Sequence, residues 1–205
     1  MKNNKLVLFL SYVLGFLLFT ASTLSFASSK DSSLSIGMSL DNVSFDDKNF
    51  SKQNLGQSFH IGYRFSENIG GELGFIDFGS VILQGSGVFK SSIPSEVDAT
   101  YISLMGYMVL SDALDLYGKI GLLYTSISFS SFAGLEEEIP DQSIFFGIGG
   151  KYAISPGLTI IGEFGVYQIQ AEYAAVRQFG DTIEMDAKIT SLSLGAEWVL
   201  SPIVF

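Results

Sequence analysis

His60 is the only histidine in the chain, and Ser58 stands two positions before it, so in an extended strand both side chains share one face. A serine activated by an imidazole and an orienting acid performs acyl transfer. Six charged residues, Arg64, Glu72, Lys119, Lys151, Glu163 and Glu197, form a second set, three of each sign, each set among small residues that leave room for ion pairing. Two acidic runs, Asp46-Asp47 and Glu136-Glu137-Glu138, carry oxygen ligands suited to Ca²⁺ or Mg²⁺ but lack the alternating spacing of a dedicated calcium loop. Gly150-Lys151 lacks the preceding glycine and following hydroxyl residue of a phosphate loop. With no cysteine, thiolate metal sites, disulfides and a lipid-anchored amino terminus are excluded. Neither a cofactor nor a metal is expected. Eleven basic residues, none clustered, against 21 acidic ones argue against nucleic acid as a partner.

The elements that hold these residues follow from the hydropathy. A mean hydropathy of +0.37 with only 16% charged residues is high for a soluble protein. Part of it lies at the amino terminus, where two lysines precede the apolar run 6–20 and Ser25-Phe26-Ala27 has the small-x-small pattern of a cleavage site. Residues 1–27 read as a signal peptide and 28–205 as the mature, acidic, exported domain. No later stretch is long and apolar enough for a membrane helix, so a membrane-spanning mature chain must be a closed barrel.

Period-two alternation runs through the mature sequence. From 55 to 65 one parity reads Leu55, Gln57, Phe59, Ile61, Tyr63, Phe65, and the other Gly56, Ser58, His60, Gly62, Arg64. Eight strands are predicted at about 33–44, 55–65, 69–78, 98–110, 114–129, 142–154, 158–170 and 186–200. The apolar parity carries no charge, and the six charges fall on the glycine-rich parity, which is the outer-membrane pattern of apolar outside and polar inside. The fold class is therefore all-β, an eight-stranded antiparallel up-and-down transmembrane barrel. In it His60 and Ser58 point into the lumen, away from any lipid substrate, so His60 reads as a hydrogen-bonded interior histidine and the protein as no enzyme. Phe145, Ile102, Leu104 and Tyr117 are expected to narrow the lumen.

Short connections at 66–68, 111–113 and 155–157 alternate with long ones at 45–54, 79–97, 130–141 and 171–185, which places turns in the periplasm and loops outside. Tyr63, Phe65, Tyr107, Tyr152 and Trp198 lie at strand ends beside the short turns, as an interfacial aromatic girdle does. Gly71-Glu72-Leu73-Gly74, Gly118-Lys119-Ile120-Gly121 and Gly162-Glu163-Phe164-Gly165 repeat one spelling, with the glycines expected to make space for an inward charge. A hairpin repeat favours a meander over a Greek key.

At these turns the sequence resembles the OmpA-like transmembrane domain family, on Gly62 to Phe75, on Gly106-Tyr107 with Leu110 to Gly121, and on Lys151 to Pro156. Ser193-Leu194-Gly195-Ala196-Glu197-Trp198-Val199-Leu200 with the terminal Phe205 is similar to the last-strand signal read by the barrel assembly machinery. The resemblance implies residence in the outer membrane of a Gram-negative cell, contact with its lipid and lipopolysaccharide, and an inward network of acids and bases. Glu72, Lys119 and Glu163 match that network in sign, whereas Lys151 stands where the family has an acid, and Leu104 and Ile161 where it has bases. A periplasmic peptidoglycan-binding domain, and with it wall anchoring, is not expected. The function expected is a structural or surface-interaction barrel whose long loops meet a surface ligand or host partner, without a general diffusion pore. A small gated ion channel through the charged lumen is the alternative, and a soluble periplasmic lipocalin-like binder the third reading.

Overall fold

The computed structural model describes residues 32–47, 50–84, 92–130, 136–173 and 183–200; the signal segment 1–27 and Phe205 lie outside these. Eight strands follow in chain order: β1 (Ser33–Asp47), β2 (Phe50–Arg64), β3 (Ile69–Gln84), β4 (Ser92–Ser111), β5 (Leu114–Ser130), β6 (Glu136–Ser155), β7 (Leu158–Tyr173) and β8 (Ile183–Leu200). Each pairs antiparallel with its neighbour in sequence, and β8 closes on β1 from Leu34–Leu200 to Asp46–Lys188. The meander and its eight strands are as the alternation predicts. At one end, the turn end, connections are tight; Gly157 adopts φ 111°, open to glycine at little cost, directly after Pro156.

At the other end, the loop end, the strands run further than expected. Position 45–54 is not a long loop, because β1 and β2 stay paired as far as Asp47–Phe50. Likewise Asp46-Asp47 and Glu136-Glu137-Glu138 belong to strands rather than to loops. Strands of 15 to 20 residues exceed the roughly 9–11 that cross a bilayer.

The cause of the short estimate is a change of polarity along each strand. Toward the turn end, Met38, Leu40, Leu192 and Leu194 face outward and are exposed, while Ser39, Asp41, Ser191 and Ser193 face inward. Without any break in alternation or ladder, the outward positions then become Asn42, Asp46, Thr190 and Lys188, and the inward ones Val43, Phe45, Ile189 and Ala187. The other strands do the same, so that Ile76, Phe78, Val81, Val97, Leu123, Ile127, Phe145 and Ile169 join one buried apolar core. The interior is thus not polar throughout, as the sequence reading had it: it is charged in the turn-end half and dry in the loop-end half.

The wall changes with the core. The β2–β3 ladder ends at Gln57–Asp77, beside an irregularity of β3 where Gly79 takes φ 82° and its amide bonds to Asp77. Opposite, the β6–β7 ladder ends at Phe145–Tyr167. Beyond these points, among the described residues, β3–β4–β5–β6 form one sheet and β7–β8–β1–β2 another, facing each other across the apolar core like a sandwich.

Candidate functional site

Each lumen charge is placed by strand parity and held by a partner on another strand. Lys119 on β5 lies between two carboxylates, 3.1 Å from Glu72 on β3 and 2.8 Å from Glu163 on β7. Lys151 on β6 lies 2.6 Å from Glu197 on β8. His60 on β2 joins the two groups, its Nε2 3.2 Å from Glu197 and 3.8 Å from Glu72. Glu163, Lys119, Glu72, His60, Glu197 and Lys151 therefore form one chain of contacts across the lumen. Tyr101 donates to Glu72 at 2.6 Å and Tyr117 to Glu163 at 2.7 Å, so the carboxylates have further donors in a region shut from water.

Arg64 stands apart, at the turn-end mouth. It pairs with Asp115 at 2.7 Å, and its guanidinium lies 4.3 Å from the centre of the Tyr107 ring. These residues and Lys151 border a cavity of about 100 Å³ open to the turn end. Further in, a cavity of about 20 Å³ lies among His60, Glu72, Lys119 and Glu163, room for a single water molecule. Above it an aromatic series continues into the apolar core: Tyr101–Phe145, Phe145–Tyr167 and Phe78–Tyr167 have ring centres 5.1 to 5.3 Å apart.

Glycines make this layer fit, though not as the repeat suggested. Gly71, Gly118 and Gly162 lie on the outward parity; the glycines that face in accommodate rings. A Cβ on Gly74 meets Tyr101, one on Gly121 meets Phe145 and one on Gly149 meets Tyr117, while Gly37 sits under the His60 imidazole. Each small residue lets a ring lie against the wall, and the polar ends of Tyr101, Tyr117 and His60 then meet the carboxylates.

The structure brings together five of the six charges and His60 as one interior, while Arg64 lies apart at the mouth with Asp115. It corrects one phase, that of β4. Ile102 and Leu104 face outward, 48% and 58% exposed, and do not narrow the lumen. By the same phase Tyr107 turns inward against Met105, Tyr117 and Ile161 instead of joining a girdle. Of the remaining girdle candidates, Tyr152 and Trp198 are exposed on the outer wall and Phe65 is half-buried, whereas Tyr63 is covered, edge-on to Phe65 at 5.2 Å. Phe145, Tyr117 and Ile161 face in as expected.

Ser58 and His60 share the inward face, but Ser58 Oγ is 2.5 Å from Ser39 Oγ while the imidazole contacts Glu197, so no serine–histidine dyad forms. Among the described residues no three acidic or histidine side chains gather as metal ligands. In the last strand, Trp198 and Leu200 face outward, and Gly195 permits close approach to the backbone of Met38. Ser193 faces inward and donates to Asp41. The sequence reading missed Asp41, Tyr101 and Asp115 as partners; Asp115 lies on the charged parity of β5 two residues before Tyr117, a signal that was there to use.

Comparison with known proteins agrees with this geometry. The sequence matches the outer membrane protein beta-barrel domain over residues 12–199. The chain belongs to that family. Among solved structures it is similar to Neisserial surface protein A, at 11% identity and a TM-score of 0.63 over 80% of this chain and 96% of that one. It is similar also to OprG from Pseudomonas aeruginosa, at 12% identity and a TM-score of 0.57 over 82% and 97%. The attachment invasion locus protein Ail of Yersinia pestis, solved in complex with the heparin analogue sucrose octasulfate, aligns at 19% identity and a TM-score of 0.53 over 82% and 97%. No curated protein matches the sequence.

Proposed function

We propose that this protein is a small exported outer-membrane barrel with a closed lumen, whose loop-end half stands outside the bilayer as a surface for interaction. The observation that carries this reading is the exchange of polarity along the strands. The band of outward Met38, Leu40, Ile102, Leu104, Ile148 and Leu194 suits hydrocarbon, whereas outward Asn42, Glu96, Gln142 and Lys188 with apolar residues behind them suit water. Orientation follows from the tight turns, which face the periplasm in barrels of this kind. Residues 1–27 are the export signal, removed after Ala27, and the end of β8 with Trp198, Leu200 and Phe205 is the segment presented to the assembly machinery. Lipid and lipopolysaccharide surround the apolar band.

The charge belt, taken alone, fits an ion path. The apolar core above it opposes one, since Phe45, Phe78, Phe145 and Ile127 are fully buried where an ion would have to pass. The belt then serves to fix barrel packing. Among the described residues the one imidazole is held between the carboxylates of Glu72 and Glu197 rather than beside a serine, which does not favour an enzymatic role. Nor does the Ail ligand transfer: an excess of 21 acidic over 11 basic residues disfavours a polysulfate.

The test is conductance of the purified, refolded chain in a planar bilayer, alongside its gel mobility with and without boiling. The expected outcome is a heat-dependent shift of a folded barrel together with a bilayer free of current steps. Steps altered by Glu72→Ala or Lys119→Ala would overturn the closed lumen in favour of a channel. A soluble, unshifted protein in the periplasm would overturn the membrane barrel itself.

A further inference from the structure

The charge belt and the dry core meet at one layer of the interior. Strand parity turns Ser39 and Asp41 of β1, Ser58 of β2 and Ser193 of β8 inward there, with Asp41 opposite Ser193 and Ser39 opposite Ser58 in the ladders. The Ser39 and Ser58 hydroxyls lie 2.5 Å apart. Asp41 is only 3% exposed. Its Oδ1 accepts from the Ser193 hydroxyl, while its Oδ2 has no hydrogen-bond partner among the described residues. All four residues border the cavity of about 20 Å³, which Ile76 of the apolar core also lines. Lys119 borders it too, but lies between Glu72 and Glu163, and Lys151 is taken by Glu197. The carboxylates of Glu72, Glu163, Glu197 and Asp41 therefore face two lysines and His60, and even a charged imidazole leaves one negative charge over. Among the described residues Asp41 is the member of this set without an ion pair. Hydroxyls share its charge but supply none to oppose it, and a carboxylate kept from water without an opposite charge is strongly unfavourable.

We infer that this layer binds one dehydrated sodium ion, held by the Asp41 carboxylate with the hydroxyl oxygens of Ser39, Ser58 and Ser193. An all-oxygen set suits a hard cation, and each hydroxyl can donate its hydrogen elsewhere and still offer lone pairs. The single surplus charge and a space the size of one water molecule call for a small, singly charged ion. Calcium asks for a larger set of oxygens with more carboxylates, and magnesium keeps waters for which the cavity has no room. The ion closes the charge balance of the belt at the floor of the apolar core, which bars its further passage. It is therefore a resident of the interior and not a conducted ion.

The test is urea unfolding of the refolded chain in phosphatidylcholine vesicles, read by gel mobility, in sodium chloride or in N-methylglucamine chloride at the same ionic strength. The bulky organic cation is too large for the cavity. At the midpoint urea concentration, sodium at about 200 mM is expected to raise the ratio of folded to unfolded chain by about tenfold or more. Asp41→Asn keeps the side-chain shape, removes the charge and abolishes the sodium response. Ser193→Ala keeps the charge and removes one oxygen, so that about tenfold more sodium is needed, which preserves the test if the asparagine variant fails to fold. Equal stability of the unaltered chain in the two salts would overturn the inference and leave a proton on Asp41 as the way its charge is met. An undiminished sodium response in Asp41→Asn would overturn it as well, because sodium would then act elsewhere on the barrel. Indifference to sodium refutes the ion site alone, whereas current steps in a planar bilayer refute the closed lumen whatever the titration gives.

Discussion

Leu194 and Lys188 occupy the same outer wall of β8, six residues apart, and behind them stand Ser193 and Ile189. The first pair is built as for hydrocarbon outside and hydrogen bonds within, the second as for water outside and a dry core within. One uninterrupted strand serves both environments because side-chain period and backbone ladder are indifferent to which face is apolar. In the turn-end half a defined interior comes from Lys119 and Lys151 paired with Glu72, Glu163 and Glu197, each buried charge meeting an opposite one. In the loop-end half it comes from burial of Phe45, Phe78, Ile127 and Ile189, and the wall can therefore divide into two sheets without exposing a polar channel.

Substitutions that exchange the two designs test the contrast most severely. Phe45→Asp puts a charge with no partner into the dry core and is expected to cost more than about 4 kcal/mol, so that no heat-shifted band forms in refolding gels. Lys119→Met leaves Glu72 and Glu163 facing each other and is expected to cost about 3–5 kcal/mol in denaturant unfolding, with much of the loss restored by adding Glu72→Gln. On the outer wall, Leu194→Arg is expected to cost about 2–4 kcal/mol in a bilayer, whereas Lys188→Leu on the same strand stays within about 0.5 kcal/mol, both read from urea titration in liposomes. Equal costs at these two positions would erase the distinction between the halves. The smallest effect is expected at the mouth: Arg64→Ala loses a partly buried pair with Asp115 at the rim of the lumen, worth about 1 kcal/mol in the same titration.

Strand number, meander order and the turn-end charges were legible because amphipathic alternation there has one sign, with glycines and charges on one parity and Leu, Ile and Phe on the other. The reading failed where that sign reversed. In β1 it stopped at Ser44, just before Phe45, because an apolar residue on the polar parity looks like the end of a strand. In β4 both parities are mostly apolar, Tyr101, Met105 and Tyr107 against Ile102, Leu104 and Met108, so nothing local sets the phase. The cross-strand register sets it: Gly74 opposite Tyr101 and Gly121 opposite Phe145 are ring-on-glycine pairs that a single strand cannot reveal. The lumen network was legible as a set of charges but not as a chain of contacts, since His60 joins Glu72 and Glu197 only once β2, β3 and β8 are brought around one axis.

The absence of cysteine allows the central contrast to be measured along one strand. Single cysteines at the outward positions Met38, Leu40, Asn42, Ser44 and Asp46 of β1, each carrying a nitroxide in lipid vesicles, report collision with oxygen, which concentrates in hydrocarbon, and with a water-soluble nickel complex. Oxygen is predicted to dominate at Met38 and Leu40, and the nickel complex at Ser44 and Asp46, with the crossing near Asn42. Oxygen dominance continuing through Asp46 would place the loop-end half in the bilayer and contradict the account.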